Sequence, residues 1–423
     1  MTLQTQFENF LGGREAAGSP IPKLDASVGR KLLGRIDQLQ WHLNRYSVEL
    51  NYLHAALGID EFLSLARSAG FDGAQFHITR SGPRMGLTAE SDQYLAALAE
   101  QKGARRLTLT LDISTTGREE VNDAVRVARA LGADTIRCYC SAGGTLKEII
   151  LAAIEQLKYA AELGSRWSIC FLLEQHERLT GSEILEIIDG VDADRSIGAL
   201  FDFANPVPAN RSPLEDLYEM RKVIRGAHSK DVIILPGTHG QRCIGVRLGE
   251  GDLPLSKIYF DLLMLGDDTP QVKFIAVQNV VGYVAPAGRL DNEPSDQVFL
   301  AKSASRTPMS SAEPAQRLAR ERQDVFDHIN AAKLIVNKLR GFATDAVFEA
   351  RTSTELGPEA SCARAIEEIG RQLYGDARAK RIWRVLDATD ESELGGVVLG
   401  EQESRGLLRL AVEKHRKLLE GCP

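Results

Sequence analysis

No run of about 18 apolar residues occurs anywhere in the 423-residue chain, so the sequence predicts no membrane-spanning helix. Positive charge is not in excess: 51 Lys and Arg stand against 58 Asp and Glu, for a net charge of -7. A nucleic-acid binder needs a basic face, and an anionic membrane needs a polybasic segment, so neither partner is expected. The six cysteines, Cys138, Cys140, Cys170, Cys243, Cys362 and Cys422, form no CxxC pair and no zinc-finger spacing. Most lie in apolar runs, where a thiol packs as a small hydrophobe, which points to a reducing compartment. The first twenty residues lack a basic segment followed by an apolar one, so no secretory leader is expected and the cytoplasm is the expected location. There is no GxGxxG turn after the first predicted strand, which counts against an open dinucleotide-binding sheet.

What is present is alternation. Residues 1–40, broken by Gly12, Gly13, Gly18, Pro20 and Pro22, are expected to form an N-terminal arm. Strand-like runs are then predicted at 46–53, 71–78, 105–113, 133–140, 166–176, 196–205, 225–235 and 271–283. Helical patterns separate them at 59–70, 90–103, 117–132, 145–164, 181–191, 213–224 and 253–266, and a long amphipathic helix follows at 312–341. Eight strand–helix units predict a (β/α)₈ TIM barrel over 41–341. Residues 342–423, with helical patterns at 359–374, 376–388 and 403–419, are expected to form a mostly helical extension. It carries no strand-end polar cluster, so its expected role is to cap the barrel bottom or to make a subunit contact in a homo-oligomer.

Barrel enzymes carry their chemistry where strands meet the following loops. The last inward positions of the fifth to eighth predicted strands are Glu174, Asp202, His228 and Gln278. Stepping back by two along each strand gives Leu172 and Cys170, Leu200 and Gly198, Gly226 and Ile224, and Ala276 and Phe274. Each polar group therefore crowns a small or apolar row. Two carboxylates, an imidazole and an amide oxygen suit a divalent metal: Mn²⁺, Mg²⁺, Co²⁺ or Zn²⁺. A metal there would act as a Lewis acid on a carbonyl of a small carbohydrate-like substrate.

The run Glu174-Gln175-His176, Asp202 in FDFANP, His228-Ser229-Lys230-Asp231 and the loop LGEGDLPL resemble the xylose isomerase-like barrel superfamily of sugar phosphate isomerases and epimerases. The likeness spans about residues 46–340. It implies metal ligation by Glu174, Asp202 and His228, with a fourth ligand in the place of Gln278. The family carries Glu there, and Gln278 brings no charge and no base. Glu250, in the GEGD loop, is a weaker substitute. His176 shares parity with Glu174 and is read as a general base or acid, with a structural histidine beside the site as the equally plain reading. Glu174 and Lys230 are the other candidate catalytic groups, with a salt bridge of Lys230 to Asp231 or a neighbouring loop as the plainer role. His77 and Asn205 are candidate substrate contacts, with a satisfied buried histidine and a holder of the Asp202 loop as the plainer readings. His42, His54 and His239 carry no assignment. The GEGD glycines shape a loop rather than cradle a phosphate, since no GK[ST] follows.

The expected activity is that of a metal-dependent sugar isomerase, epimerase or lyase acting on a sugar, keto-sugar or polyol. With Gln278 in place of a second base, one-base isomerisation or elimination is preferred. The competing expectation is a catalytically silent barrel used for binding or assembly. A nuclease is a distant third, lacking the further metal ligands and the basic face.

Overall fold

The computed structural model describes residues 1–354 except 13–19, 79–85, 177, 194, 238–239, 295 and 301–314. His239 and the helical patterns expected at 359–374, 376–388 and 403–419 lie outside the described residues. Eight parallel strands close a barrel: β1 Gln40–Asn44, β2 Gly73–His77, β3 Thr108–Asp112, β4 Thr135–Cys138, β5 Cys170–Glu174, β6 Ile197–Asp202, β7 Ile224–Ser229 and β8 Phe274–Val277. β8 pairs with β1 through Phe274 opposite Gln40 and Ala276 opposite His42, which completes the ring. The (β/α)₈ TIM barrel expected from the alternation is the fold observed.

Backing helices form where the sequence supplies both a cap and an apolar stripe. In Gly181–Val191 the Thr180 hydroxyl accepts from the Glu183 amide, and the Glu183 carboxylate accepts from the Thr180 amide at 2.8 Å. Ile184, Ile187, Ile188 and Val191 share one buried face, each contributing about 1.5–3 kcal/mol on leaving water. Among the described residues, no helix is long and apolar enough to cross a membrane.

The first strand differs from the expected one. Residues 45–53 are helical, and β1 lies earlier, at Gln40–Asn44. Asn44 ends the strand and its side chain accepts from the Tyr46 amide, starting a helical turn. Burial then follows helical spacing through Val48, Asn51 and Tyr52. The seventh expected strand also divides. Its first half is β7, while Val232–Pro236 turns away to pair antiparallel with Gln241–Gly245, which pairs in turn with Val284–Ala285. Asp231 makes the break, accepting backbone N–H groups from Val232, Gly249 and Gly251. A Cβ on Gly251 would lie 2.2 Å from the Asp231 carboxylate, so the GEGD glycine is there to let the loop close on that side chain.

The barrel floor is apolar on one side and polar on the other. Leu172, Leu200, Phe274 and Ala276 form a buried cluster with Cys170 against it. His42 stacks on Phe274, with ring centroids 4.5 Å apart and planes 13° apart. The smaller terminal unit gathers Met1–Phe7, Pro22–Leu33 and the described residues from Arg340. Within it Phe7 meets Phe342 edge to face at 5.6 Å. The long helix runs Ala315–Thr354, past the 341 boundary expected from the amphipathic pattern.

Burial pulls the His42 imidazole down from 6.5 to about 3. The unfolded chain therefore binds a proton near pH 6.5 that the folded chain refuses. This contribution to stability is complete above that pH and is lost as pH falls towards 3. Urea unfolding of the wild type should show a marked loss between pH 7 and pH 5. In His42→Phe that loss should be smaller by about 2 kcal/mol. Equal pH dependence in the two proteins would contradict the assignment.

Candidate metal and substrate site

Seven strands carry a buried polar side chain at or within two residues of their ends at the mouth of the barrel, and an eighth follows β8. They are Asn44, Gln75, Asp112, Arg137, Glu174, Asp202, His228 and Gln278, none more than 6% exposed. Register explains the grouping: Gln75 lies opposite Asn44, Asp112 opposite His77, Arg137 opposite Asp112 and His228 opposite Asp202.

The His228 Nδ1 atom lies 2.9 Å from Glu174 Oε1 and 3.4 Å from Asp202 Oδ2. Its Nε2 lies 3.1 Å from Gln75 Oε1. Gln75 Nε2 donates to Asp112 Oδ1 at 2.7 Å, so the Gln75 carbonyl is the end that faces the histidine. Asn44 donates to the other Asp112 oxygen at 3.4 Å. A carbonyl can only accept, so His228 Nε2 carries the proton. Burial, the largest influence, lowers the His228 pKa and keeps the ring neutral. The Nδ1 lone pair is then left facing two carboxylates.

Each carboxylate has a second set of partners. Arg137 Nη2 donates to Glu174 Oε2, and Lys230 Nζ lies 2.8 Å from Asp202 Oδ2. Asp202 Oδ1 accepts from the Ala204 and Asn205 amides at 2.9 and 3.0 Å. Burial pulls Asp202 towards its neutral form, but the Lys230 ammonium outweighs it and holds the carboxyl at about 2. Glu174, Asp202 and His228 each offer a ligand atom, all within 4.8 Å of one another.

The other expected residues fall as follows. Lys230 pairs with Asp202 rather than with Asp231. Asn205 donates to the Gln175 carbonyl at 2.8 Å and lies 3.4 Å from Glu174 Oε1, tying the β6 loop to the end of β5. His77 Nε2 is 2.6 Å from Ser114 Oγ, and burial lowers its pKa to about 3. His176 stacks on Tyr139, with ring centroids 4.4 Å apart, and lines a small pocket with Glu174, Cys140 and Arg178. Gln278 is buried and its Oε1 has no hydrogen-bond partner among the described residues. Glu250 is exposed on its loop, away from such burial.

Residues 63–271 match the xylose isomerase-like TIM barrel family. The uncharacterized protein YihM of Escherichia coli (strain K12) is 30% identical over 317 residues, covering 74% of this chain and 95% of that protein. The chain belongs to the xylose isomerase-like TIM barrel family. Among solved structures, this family member is similar to IolI protein with a bound zinc atom, at 14% identity and a TM-score of 0.49, covering 71% of this chain and 99% of that one. It is also similar to a xylose isomerase-like TIM barrel protein from Mycobacterium smegmatis in complex with magnesium, at 15% identity and 0.49, covering 73% and 99%. D-psicose 3-epimerase in the presence of D-fructose gives 12% identity and 0.48, covering 70% and 99%.

The sequence analysis of this xylose isomerase-like chain missed Gln75, Asp112, Arg137 and Tyr139. The signal was available. The period-two walk that found Glu174 and Asp202 gives Asp112 on RRLTLTLDI, Gln75 on FDGAQFHI, and Arg137 with Tyr139 on ADTIRCYC.

Asp112 is the anchor of the chain that orients His228. Asp112→Ala leaves two buried amide groups without their acceptor, which should cost about 1–3 kcal/mol in urea unfolding. It should also mix the His228 tautomers, whereas nitrogen NMR of the wild type should show Nε2–H alone. A variant with wild-type stability and a single tautomer would disprove the anchoring role.

Proposed function

We propose that this protein is a divalent-metal-dependent isomerase or lyase acting on a sugar, keto-sugar or polyol. The observation that carries the reading is the bare Nδ1 lone pair of His228, aimed at two buried carboxylates. Lone pair against carboxylate is repulsive unless a cation stands between them. Glu174 and Asp202 supply oxygen and His228 supplies nitrogen, a donor set suited to Mn²⁺, Mg²⁺, Co²⁺ or Zn²⁺. The Gln278 Oε1, buried without a partner among the described residues, is a fourth, neutral donor. The Gln75–Asp112 pair behind His228 orients the ring, as partners of metal-binding histidines generally do.

When bound, the metal supplies Lewis-acid polarisation of a substrate carbonyl. The chain's own groups do the rest. His176, held against the Tyr139 ring beside Glu174, takes a proton from the carbon next to that carbonyl. In an isomerisation it returns the proton to the neighbouring carbon on the same face. In an elimination the leaving group departs instead. Lys230 donates to substrate oxygen where negative charge develops. Gln278 is an amide and cannot act as a second base from the opposite face, so two-face epimerisation is disfavoured.

A catalytically silent binding barrel is the second reading. The internal ion pairs favour it, because Arg137 and Lys230 already meet both carboxylates.

Metal content separates the two. Elemental analysis of dialysed wild type should give about one divalent ion per chain, and Asp202→Ala should lose it. Equal content in both, or none in the wild type after Mn²⁺ loading, would sink the metal site.

The base is tested separately. On whichever member of an aldose, ketose and keto-sugar panel the wild type converts, His176→Ala should lower kcat by about 10²–10⁴-fold with metal retained. Turnover at the wild-type rate would remove His176 from that role. Clean epimerisation at one carbon in D₂O would remove the one-base scheme with it.

A further inference from the structure

We propose that the substrate of this site carries a carboxylate and that Arg137 binds it. The proposal rests on the metal-dependent reading above and narrows its substrate from sugars at large to sugar acids.

Arg137 stands on β4, opposite Asp112 in register, and is 2% exposed. A guanidinium carries five N–H donors in one plane. Here Nη2 donates to Glu174 Oε2, and Nε has no partner among the described residues. The face of the group lies over Tyr139, 4.7 Å from the ring centroid. Glu174 and Tyr139 thus fix the plane while leaving donors unused in a buried site. Unused buried donors are costly, and native sites generally meet them with a ligand or ordered water. Two oxygens in one plane match what remains, which is the reason arginine rather than lysine recognises carboxylates.

Formal charge gives the same answer independently. The buried side chains at the strand ends, taken with Lys230, hold three carboxylates, Asp112, Glu174 and Asp202, and two cations, Arg137 and Lys230, while the half-buried Arg178 donates to the Leu300 carbonyl. As a metal ligand His228 is neutral, and nearby Arg45 is matched by its own Glu49. A divalent ion turns this net charge of minus one into plus one. A neutral polyol leaves that charge uncompensated in a buried site, whereas a monoanion cancels it. The carboxylate sits on Arg137 while vicinal oxygens of the same molecule are left for Lys230 and the metal ligands' open side.

The test is calorimetric titration of the Mn²⁺-loaded full chain, freed of excess metal, with acid and alcohol pairs of equal length. D-gluconate with D-glucitol, D-arabinonate with D-arabinitol, and D-threonate with D-threitol differ only at one terminal carbon. At least one acid should bind about tenfold or more tightly than its alcohol, as expected for a charge-assisted bidentate contact. Arg137→Gln should bring that acid down to the affinity of the alcohol. Arg137→Lys keeps a cation beside Glu174 without the planar fork, and should lose most of the preference even where Arg137→Gln does not fold. No acid bound more tightly than its alcohol, or a preference unchanged in Arg137→Lys, would overturn the proposal. Metal content of the same samples keeps the two readings apart. A wild type without metal refutes the metal site, while a metal-loaded wild type indifferent to the carboxylate refutes only this inference.

Discussion

One imidazole organises the mouth of this barrel. His228 is fully buried, and its two nitrogens face opposite halves of the ring of strands. Nε2 meets Gln75 of β2, and Nδ1 meets the carboxylates of β5 and β6. The orientation of Gln75 follows from Asp112 of β3, which is also bonded to Asn44 of β1. Closure of the barrel is what brings these residues within reach of one another. Without it, each would be a buried polar group lacking a partner, at a cost of several kcal/mol for the set. The polar row is tolerated because it is connected, and its connection leaves the Nδ1 lone pair of His228 facing the carboxylates of Glu174 and Asp202.

That arrangement needs a rigid floor. Below the mouth, Leu172, Leu200, Phe274 and Ala276 fill the barrel, and the Phe274 ring stacks on His42. Two glycines make the stack possible. A Cβ on Gly73 would lie 2.3 Å from His42 Nε2, and one on Gly226 would lie 2.7 Å from Phe274 Cζ. Large rings from β1 and β8 are thus accommodated by absent side chains on β2 and β7, the alternation of large and small that lets barrel layers interlock. Stability resides in this layer and is spent in the polar layer above it.

The second half of the barrel was legible in the sequence because its inward rows are apolar with a single polar residue at the end. Cys170, Leu172 and Glu174 on β5 make that pattern, as do Gly198, Leu200 and Asp202 on β6. The first half inverts it. On β1 the inward residues are Gln40, His42 and Asn44, and the apolar Trp41 and Leu43 face the helices. Polar inward rows read as surface, so the more apolar stretch 46–53 drew the strand assignment although it is helical. On β3, Thr108, Thr110 and Asp112 hid the anchor for the same reason. The first strand of the hairpin, from Val232, joins the expected seventh strand at 225–235 because VIIL continues the strand-like pattern past Asp231. Nothing in local periodicity reports that a carboxylate is gathering amides from residues 18 and 20 positions ahead.

Gln278 stands where the resemblance read from the sequence expects a glutamate, and electrostatics gives that difference a consequence. A carboxylate at that position would join Asp112, Glu174 and Asp202 against Arg137 and Lys230. The mouth would then carry two net negative charges, and a divalent ion alone would cancel them. Such a site is complete for a neutral sugar. With an amide at 278, the same ion overshoots by one unit, and neutrality waits on the ligand. On the proposed metal-dependent reading, the lack of a second base and the capacity for an anionic substrate are therefore two consequences of one residue. The first narrows the stereochemistry open to the site, and the second narrows what it holds. Arg137, already turned edge-on to Glu174 and flat against Tyr139, is the group placed to receive the charge that Gln278 does not supply.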